Sequence, residues 1–306
     1  MSEHARFRTV FISDLHLGCE EARADEVADF LKSVRCDTLY LVGDIIDMWR
    51  LRRTWHWPDA NNRVVRRILK MAKRGTRVVL IPGNHDDAAR QYIGVNFGGV
   101  ELRMNDIHVT ADGRRLLVTH GDQFDLVVRH ARVLSLLGAW AYERLLKLNK
   151  HYNRARTLLG YDYWSLSRFL KLKVKSACTF VSKYEHELTK EAALRGVEGV
   201  VCGHIHHAEI KRASAPGGVD YFNCGDWVEQ SSALVEHDDG RIELIDGATL
   251  ARTVLAQRSV DIADDDLWPD PAMSAVDSAA GFLMPQGPRE ALLRAGLEEL
   301  DEAIQL

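Results

Sequence analysis

The chain has 306 residues, of which 46% are hydrophobic and 27% are charged. These proportions are those of ordinary folded proteins and exclude a disordered or fibrous chain. The formal net charge is −4, and the five cysteines form no C-x-x-C pair, so a dedicated nucleic-acid binder, a disulfide framework and a zinc knuckle are all disfavoured. We expect a folded cytoplasmic protein with reduced thiols, for which nucleic acid is not the partner.

The first part of the chain alternates short aliphatic runs with segments of helical periodicity. The runs span residues 9–12, 38–42, 77–81 and 116–119, and the helix-like segments span residues 21–34 and 61–74. Each run ends at a turn rich in Gly, Asp, Asn or His. This alternation predicts an α/β fold in which functional side chains follow the strands.

A long insert without strand pattern follows, at about residues 126–195. From residue 126 to residue 184 it contains twelve basic residues and two acids, interleaved with leucines and tryptophans. A basic, amphipathic helical cap would suit an anionic lipid or a membrane surface. Packing of the cap helices on one another is the alternative, and binding of nucleic acid is a third interpretation.

The last third of the chain completes the sheet and then changes character. Strand-like runs return at residues 199–202, 219–223, 232–236 and 241–245, and Asp239-Gly240 offers a hairpin turn. From residue 258 the chain is acidic and contains prolines, and residues 288–306 are compatible with an amphipathic helix. We therefore expect a catalytic domain over 1–257, with the cap inserted at about 126–195, and an acidic tail over 258–306.

Five polar motifs follow the strand-like runs. They are Asp14-x-His16, Gly43-Asp44-x-x-Asp47, Gly83-Asn84-His85-Asp86, His120-Gly121 and Gly203-His204-x-His206. A single D-x-H pair arises by chance in many chains, but five such motifs in order at strand ends indicate a metal site. A two-metal site needs several carboxylate and imidazole donors and one bridging ligand. The candidate ligands are Asp14, His16, Asp44, Asn84, His120, His204 and His206.

The donor types predict the metal and the chemistry. Oxygen and imidazole nitrogen without sulfur favour Mn²⁺, with iron or zinc as alternatives. Two divalent ions would lower the pKa of a shared water and clamp phosphoryl oxygens, so we expect hydrolysis of a phosphoester by metal-hydroxide attack. His85, beside a carboxylate, can stay protonated and stabilise the developing charge or protonate the leaving oxygen.

The motif order resembles the calcineurin-like metallophosphoesterase superfamily, whose pattern is D-x-H, GD-x-x-D, GNH[DE], a lone His and GH-x-H. The resemblance implies a β-sandwich flanked by helices. It also implies that one metal is held by Asp14, His16 and His206, the other by Asn84, His120 and His204, and that Asp44 bridges them. In the same way it implies that His85 faces the substrate phosphate and that Asp47 orients and charges His85.

A narrower resemblance suggests a substrate. Residues 11–17, the helical insert and residues 223–227 look like the UDP-2,3-diacylglucosamine pyrophosphatase family of lipid A synthesis, over about residues 7 to 246. It implies hydrolysis of a lipid-linked nucleotide sugar, with peripheral contact to the inner membrane through the basic cap. At His85, where that family carries Arg, and at Asp47 this chain keeps the general superfamily form. The alternative is a soluble phosphodiesterase or phosphatase acting on nucleotides or phosphoproteins.

Aromatic and basic residues are concentrated directly after the second motif. They are Trp49, Arg52, Arg53, Trp55 and Trp57. Such residues could form a rim that grips a base or a phosphate by stacking and charge, or the tryptophans could pack beneath the loop. Both interpretations remain open from the sequence.

Overall fold

The computed structural model describes residues 4–127 and 181–258. The chain divides into two units, Met1–Val260 and Asp261–Leu306. The second unit, and with it the predicted acidic tail and its helix, lies outside the described residues. Most of the predicted cap insert, residues 128–180, lies outside them as well, so its contact with a membrane stays a prediction.

Twelve strands form two sheets in the described part of the chain. The strands are β1 (Ala5–Ile12), β2 (Val34–Val42), β3 (Arg77–Ile81), β4 (Asn96–Phe97), β5 (Val100–Leu102), β6 (Asp106–Val109), β7 (Arg115–Val118), β8 (Gly199–Cys202), β9 (Glu209–Lys211), β10 (Asp220–Asn223), β11 (Ser232–Glu236) and β12 (Ile242–Asp246). The first sheet has the order β12-β11-β1-β2-β3-β5-β4, and the second has the order β6-β7-β8-β10-β9.

Helices cover the outer faces of both sheets. They are α1 (Ala24–Ser33), α2 (Met48–Leu51), α3 (Asp59–Lys73), α4 over residues 181–194, and α5 (Gly247–Arg258), with short 3-10 helices at Asp87–Tyr92 and Asp122–Val127. Across the described ranges, none of these helices combines the length and apolar character that a bilayer span requires.

Parallel pairing sets the position of the loops. Strands β1, β2, β3 and β5 run parallel to one another in the first sheet, as do β7, β8 and β10 in the second. Their carboxyl ends therefore meet along one edge of each sheet, which is where α/β proteins place their functional loops.

Three layers of apolar side chains hold the sandwich together. Between the sheets, Phe11 and Tyr40 stack with ring centroids 5.0 Å apart and pack with Phe222 of the opposite sheet. The outer face of the first sheet is buried under α1, α3 and α5, and Tyr184 and Leu188 of α4 cover the second sheet. The predicted α/β sandwich flanked by helices is thus confirmed.

Candidate metal centre

The seven candidate ligands come from five loops, each at the carboxyl end of a strand. Asp14 and His16 follow β1, Asp44 follows β2, Asn84 follows β3, His120 follows β7, and His204 and His206 follow β8. Both sheets therefore contribute, and the side chains meet where the two sets of strand ends face each other. Loops that belong to one rigid sandwich can hold such ligands in fixed geometry.

The backbone of these loops is strained. Among the described residues, the non-glycine residues with left-handed φ are Asp14 (54°), His16 (48°), Asp44 (53°), His204 (72°) and His206 (53°). All five are candidate ligands. Such a conformation costs on the order of 1–3 kcal/mol per residue and persists where the surrounding structure enforces it, which is typical of functional sites.

Four donor atoms converge on the first side of the centre. The His16 Nε2 atom lies 3.3 Å from His206 Nε2, 3.9 Å from Asp14 Oδ1 and 3.8 Å from Asp44 Oδ2. The His206 Nε2 atom lies 3.3 Å from Asp14 Oδ1, an oxygen that accepts no hydrogen bond from the described residues. Converging lone pairs of this kind suit a cation held between them.

A second set of donors surrounds the opposite side of Asp44. Donor atoms of Asp44, His120 and His204 lie within 4.8 Å of one another. The His120 Nδ1 atom donates to the Val42 carbonyl at 2.9 Å, which leaves the Nε2 lone pair directed to the centre, 3.5 Å from Asp44 Oδ2. The buried Asn84 Oδ1 has no hydrogen-bond partner among the described residues, and the Asp44 Oδ2 atom lies between both donor sets.

The charge of the centre is negative and buried. Burial alone would raise the pKa of Asp44, but His120 and the neighbouring histidines outweigh it and lower that pKa strongly. Burial would likewise raise the pKa of Asp14, but the neighbouring rings of His206 and His120 outweigh it and lower that pKa. Burial opposes charge on His120, yet Asp44 raises the His120 pKa to about 10. These residues therefore favour positive charge between them, which fits divalent cations.

Asp47 serves two histidines at once. Its Oδ2 atom lies 3.3 Å from His16 Nδ1, and its Oδ1 atom lies 3.1 Å from His85 Nδ1. Burial would raise the pKa of Asp47, but these two histidines and the Arg50 N–H lower it. The carboxylate is hydrogen-bonded to His16 Nδ1 and in ion contact with His85 Nδ1, so each Nε2 stays available, for an ion at His16 and for a substrate at His85. Sequence reasoning had linked Asp47 only to His85.

Three further residues support the centre, and the sequence analysis assigned a role to none of them, although Asp86 belongs to the third motif. Asp86 accepts hydrogen bonds from Ile45 N at 2.8 Å and Gly83 N at 2.6 Å, which ties the loops after β2 and β3 together. Asp226 accepts from three successive backbone N–H groups and faces His206 Nδ1 at 3.9 Å. Tyr184 is treated separately below because it joins a helix to the centre.

The Tyr184 hydroxyl lies between the two loops of the second sheet. It is within 3.1 Å of the His120 carbonyl and 3.2 Å of the Gly203 carbonyl, and the side chain is buried. A Cβ on Gly121, whose φ is +103°, would lie 1.9 Å from this hydroxyl. Glycine at that position thus allows Tyr184 to hold the loops that carry His120 and His204.

The predicted aromatic rim divides into separate environments. Trp49 packs against His85, with ring centroids 4.4 Å apart, and remains 44% exposed. Trp57 donates through Nε1 to Asn62 and packs partly against the core. Trp55 is 75% exposed beside Trp57. Only Trp49 of these three contacts the centre directly, so the other two do not complete a continuous rim with it.

The family model for the calcineurin-like phosphoesterases matches residues 7–208, and the chain belongs to this family. It is similar to the UDP-2,3-diacylglucosamine hydrolase of Azotobacter vinelandii, with 28% identity over 74% of this chain and 93% of the relative. The protein of the same name from Aliivibrio fischeri is 24% identical over 75% of this chain and 94% of the relative. Among solved structures, Vacuolar Protein Sorting 29 from Cryptosporidium parvum matches with a TM-score of 0.35 and 12% identity, over 78% of this chain and 94% of that one.

Family membership confirms the enzyme class predicted from the motifs. The chain is a metal-dependent hydrolase of the phosphoesterase type, and the family implies divalent metal ions. The described structure contains groups of aspartate and histidine donors that could hold such ions.

Proposed function

We propose that this chain hydrolyses a phosphoester or pyrophosphate bond with two divalent ions, on UDP-2,3-diacylglucosamine or a similar lipid-linked nucleotide sugar, in the cytoplasm and at the inner membrane surface. The observation that carries the proposal is the position of the Asp44 carboxylate between two sets of donors from different strand ends, Asp14, His16 and His206 on one side and His120 and His204 on the other. Asp14, His16 and His206 would hold one ion, and Asn84, His120 and His204 the other. Asp44 would bridge them, because its Oδ2 atom lies near His16 and His120.

The ions would supply an activated water and positive charge for the phosphoryl oxygens. The protein contributes fixed positions: the strained loops hold the donors in place before the substrate arrives, so little reorganisation is needed. We favour Mn²⁺, with iron or zinc as alternatives, because the donors are oxygen and imidazole nitrogen. Asn84 is neutral, and it limits the negative charge that an anionic substrate would meet.

His85 is the candidate proton donor. Its Nδ1 atom faces Asp47, and its Nε2 atom has no hydrogen-bond partner among the described residues. A ring held in this way can hydrogen-bond to a phosphoryl oxygen or protonate the leaving oxygen. Trp49 packs on the His85 ring and restricts its orientation.

The substrate assignment rests on the relatives. Seven curated relatives, including those from Azotobacter vinelandii and Aliivibrio fischeri, are named UDP-2,3-diacylglucosamine hydrolase, with 24–28% identity. A nucleotide sugar would place its pyrophosphate at the two divalent ions. The half-exposed Trp49 beside His85 is positioned to contact such a substrate.

The proposal is tested by substrate comparison with the full chain. The protein loaded with Mn²⁺ is assayed for UMP release from UDP-2,3-diacylglucosamine in detergent, and in parallel with UDP-N-acetylglucosamine, bis-p-nitrophenyl phosphate and p-nitrophenyl phosphate. We expect kcat/KM for the diacylated substrate to exceed that for the unacylated nucleotide sugar by about a hundredfold or more, because acyl chains add apolar contact area. Equal rates on both nucleotide sugars, or activity confined to the nitrophenyl esters, would instead support a soluble phosphodiesterase or phosphatase.

A further inference from the structure

An exposed, uncharged segment follows the third motif. Every residue from 91 to 99 is exposed, and no residue from 91 to 100 carries a charged side chain. The large apolar side chains in it are Tyr92, 48% exposed, Ile93, 40%, Val95, 41%, and Phe97, 52%. Single exposed apolar residues are common, but four within six residues form a patch that calls for a physical explanation.

The patch lies at the free edge of the first sheet. Phe97 belongs to β4, the last strand of that sheet, and its ring lies 6.1 Å from the Tyr92 ring. Leu69 of α3, 42% exposed, extends the patch, because a Cβ on Gly98 would lie 3.2 Å from its side chain. We call these five residues, Leu69, Tyr92, Ile93, Val95 and Phe97, the edge patch.

The neighbouring helix is strongly basic. Between residues 59 and 74, which span α3 and its carboxyl end, the chain contains six Lys or Arg residues and one acid, Asp59. Arg66, Lys73 and Arg74 are exposed. Arg66 is ion-paired with Asp59, and Arg63 is ion-paired with Asp25 of α1. With six basic residues against these two acids, the surface around α3 keeps a positive surplus. An apolar patch bordered by basic side chains is the pattern that binds the interface of an anionic bilayer.

The edge patch begins at the same end of the sheet as the metal centre. The Gly94 N–H donates to the Leu102 carbonyl at 2.9 Å, and Leu102 pairs with Leu80 near the carboxyl end of β3. Asn84 and His85 follow that strand directly. From there the patch runs along the sheet edge to Phe97, which pairs with Val100 and through it with Val78 near the amino end of β3. A surface that holds the edge patch would therefore lie along the side of the first sheet, with the centre at one end of the contact.

The geometry points to an anionic lipid surface as the partner: we propose that the edge patch inserts into the headgroup region of a bilayer while the basic side chains of α3 bind anionic lipid. A second copy of the chain fits less well, since β4 is two residues long and offers few hydrogen bonds for strand pairing. A contact between two copies would also bring two basic α3 helices together. The proposal stands apart from the proposed substrate, because binding to vesicles needs no turnover.

The test is co-sedimentation of the full chain with vesicles of phosphatidylglycerol and phosphatidylcholine, and with vesicles of phosphatidylcholine alone. The variants are Phe97→Asp and Ile93→Asp in the patch, and Arg74→Glu with Lys73→Glu beside it. The matched control is Val109→Asp on β6, where the apolar residue is 49% exposed but lies in the other sheet. Thermal unfolding of each variant verifies that it is folded.

We expect each patch substitution to weaken binding to the anionic vesicles by about tenfold. The paired charge reversal should remove the preference for phosphatidylglycerol, and Val109→Asp should bind as the wild type does. Patch variants that are folded and bind the anionic vesicles as tightly as Val109→Asp would overturn the proposal. Sedimentation equilibrium that shows a dimer dissociated by Phe97→Asp, without any effect on vesicle binding, would assign the patch to a second copy instead.

Discussion

At the scale of single residues, Asp47 connects ion binding with proton donation. Its two oxygens contact His16, a candidate ligand, and His85, the candidate proton donor. A carboxylate that accepts the Nδ1 proton of a ligating histidine fixes its tautomer and raises its basicity. One substitution should therefore affect both ion binding and turnover.

We expect Asp47→Asn to lower the affinity for the Mn²⁺ ion that His16 would hold and to reduce kcat, each by about 10- to 100-fold. Titration calorimetry and steady-state kinetics measure the two effects. The matched control is Asp220→Asn, because the Asp220 carboxylate binds Arg114 and Arg212 rather than a histidine. If Asp47→Asn behaved like this control in both measurements, the shared role of Asp47 would be excluded.

Tyr184 provides a second residue-scale prediction. Tyr184→Phe keeps the buried ring but removes the hydroxyl that spans the His120 and Gly203 carbonyls. We expect about tenfold weaker binding of one Mn²⁺, because two loops that carry ligands lose a shared restraint. The other Mn²⁺ should bind as before. Its donors are Asp14 and His16, which follow β1, and His206, which lies further along the loop after β8 than His204.

The control for that prediction is Tyr92→Phe, which removes the hydroxyl of an exposed side chain that belongs to none of the donor groups. If Tyr184→Phe bound both ions with wild-type affinity and kept the wild-type pH profile of kcat, the hydroxyl would contribute packing alone. A change in kcat without a change in ion affinity would also contradict the positioning role.

The candidate ligands were predictable from the sequence because each lies within two residues of another motif member or directly after an apolar run. The supporting residues were not predictable, since their contacts arise only in the folded chain. Tyr184 is 64 positions from His120, and nothing near it in sequence marks its role. Asp226 faces His206 only because β10 lies beside β8.

At the scale of elements, buried strands were predictable and exposed ones were not. All eight predicted runs lie on observed strands, and Asp239-Gly240 joins β11 to β12 as expected, with Gly240 at a φ of +82°. The strands that escaped prediction, β4, β5, β6 and β9, are two to four residues long. Strands β7, β8 and β10 are also only four residues long, but at least three of their four residues are buried, whereas the missed strands have no such buried run to mark them.

Element boundaries differ from the prediction at one informative place. Helix α1 ends at Ser33 and β2 begins at Val34, without a connecting loop. The sequence predicted a helix over residues 21–34 and a strand only from residue 38, because Arg35 and Asp37 interrupt the apolar run. Strand pairing with β1 through Ala5 and Val34 extends β2 despite those charged residues.

A buried hydrogen-bonded pair, Glu236 and His108, joins strands of the two sheets. Glu236 of β11 accepts hydrogen bonds from His108 Nε2 of β6 at 2.7 Å and from the Ala111 N–H at 2.8 Å. Burial raises the pKa of Glu236, but hydrogen bonds from His108, Thr9 and Ala111 outweigh it and lower the pKa to about 2. The pair therefore stabilises the contact between the sheets while Glu236 is ionised.

The linkage of stability to pH follows from this shift. An unfolded glutamate has a pKa of about 4.3, so the stabilisation is complete above that pH and is lost as the pH falls through about 2. We expect Glu236→Gln to lower the free energy of unfolding near neutral pH by about 2–3 kcal/mol. The difference from the wild type should shrink as urea unfolding is repeated at pH values below about 4. A difference that stayed constant down to the lowest pH would contradict this account.

At the scale of the whole molecule, the sandwich brings loops of two separate sheets to one centre. The interior layer around Phe11, Tyr40 and Phe222 fixes the distance between the sheets, and the first sheet supplies Asp44 while the second supplies His120. Neither sheet alone carries a complete donor set. Ion binding should therefore depend on the packing of the sandwich as a whole.

The most direct test of the central claim is the number of Mn²⁺ ions bound per chain, measured together with kcat for wild type, Asp44→Ala and the exposed control Asp37→Ala. We predict two ions for the wild type and for Asp37→Ala, with equal rates. For Asp44→Ala, we predict at most one tightly bound ion and a loss of kcat of about a thousandfold or more, because the bridging carboxylate is gone. An Asp44→Ala protein that is folded, binds two ions and keeps the wild-type rate would contradict the account.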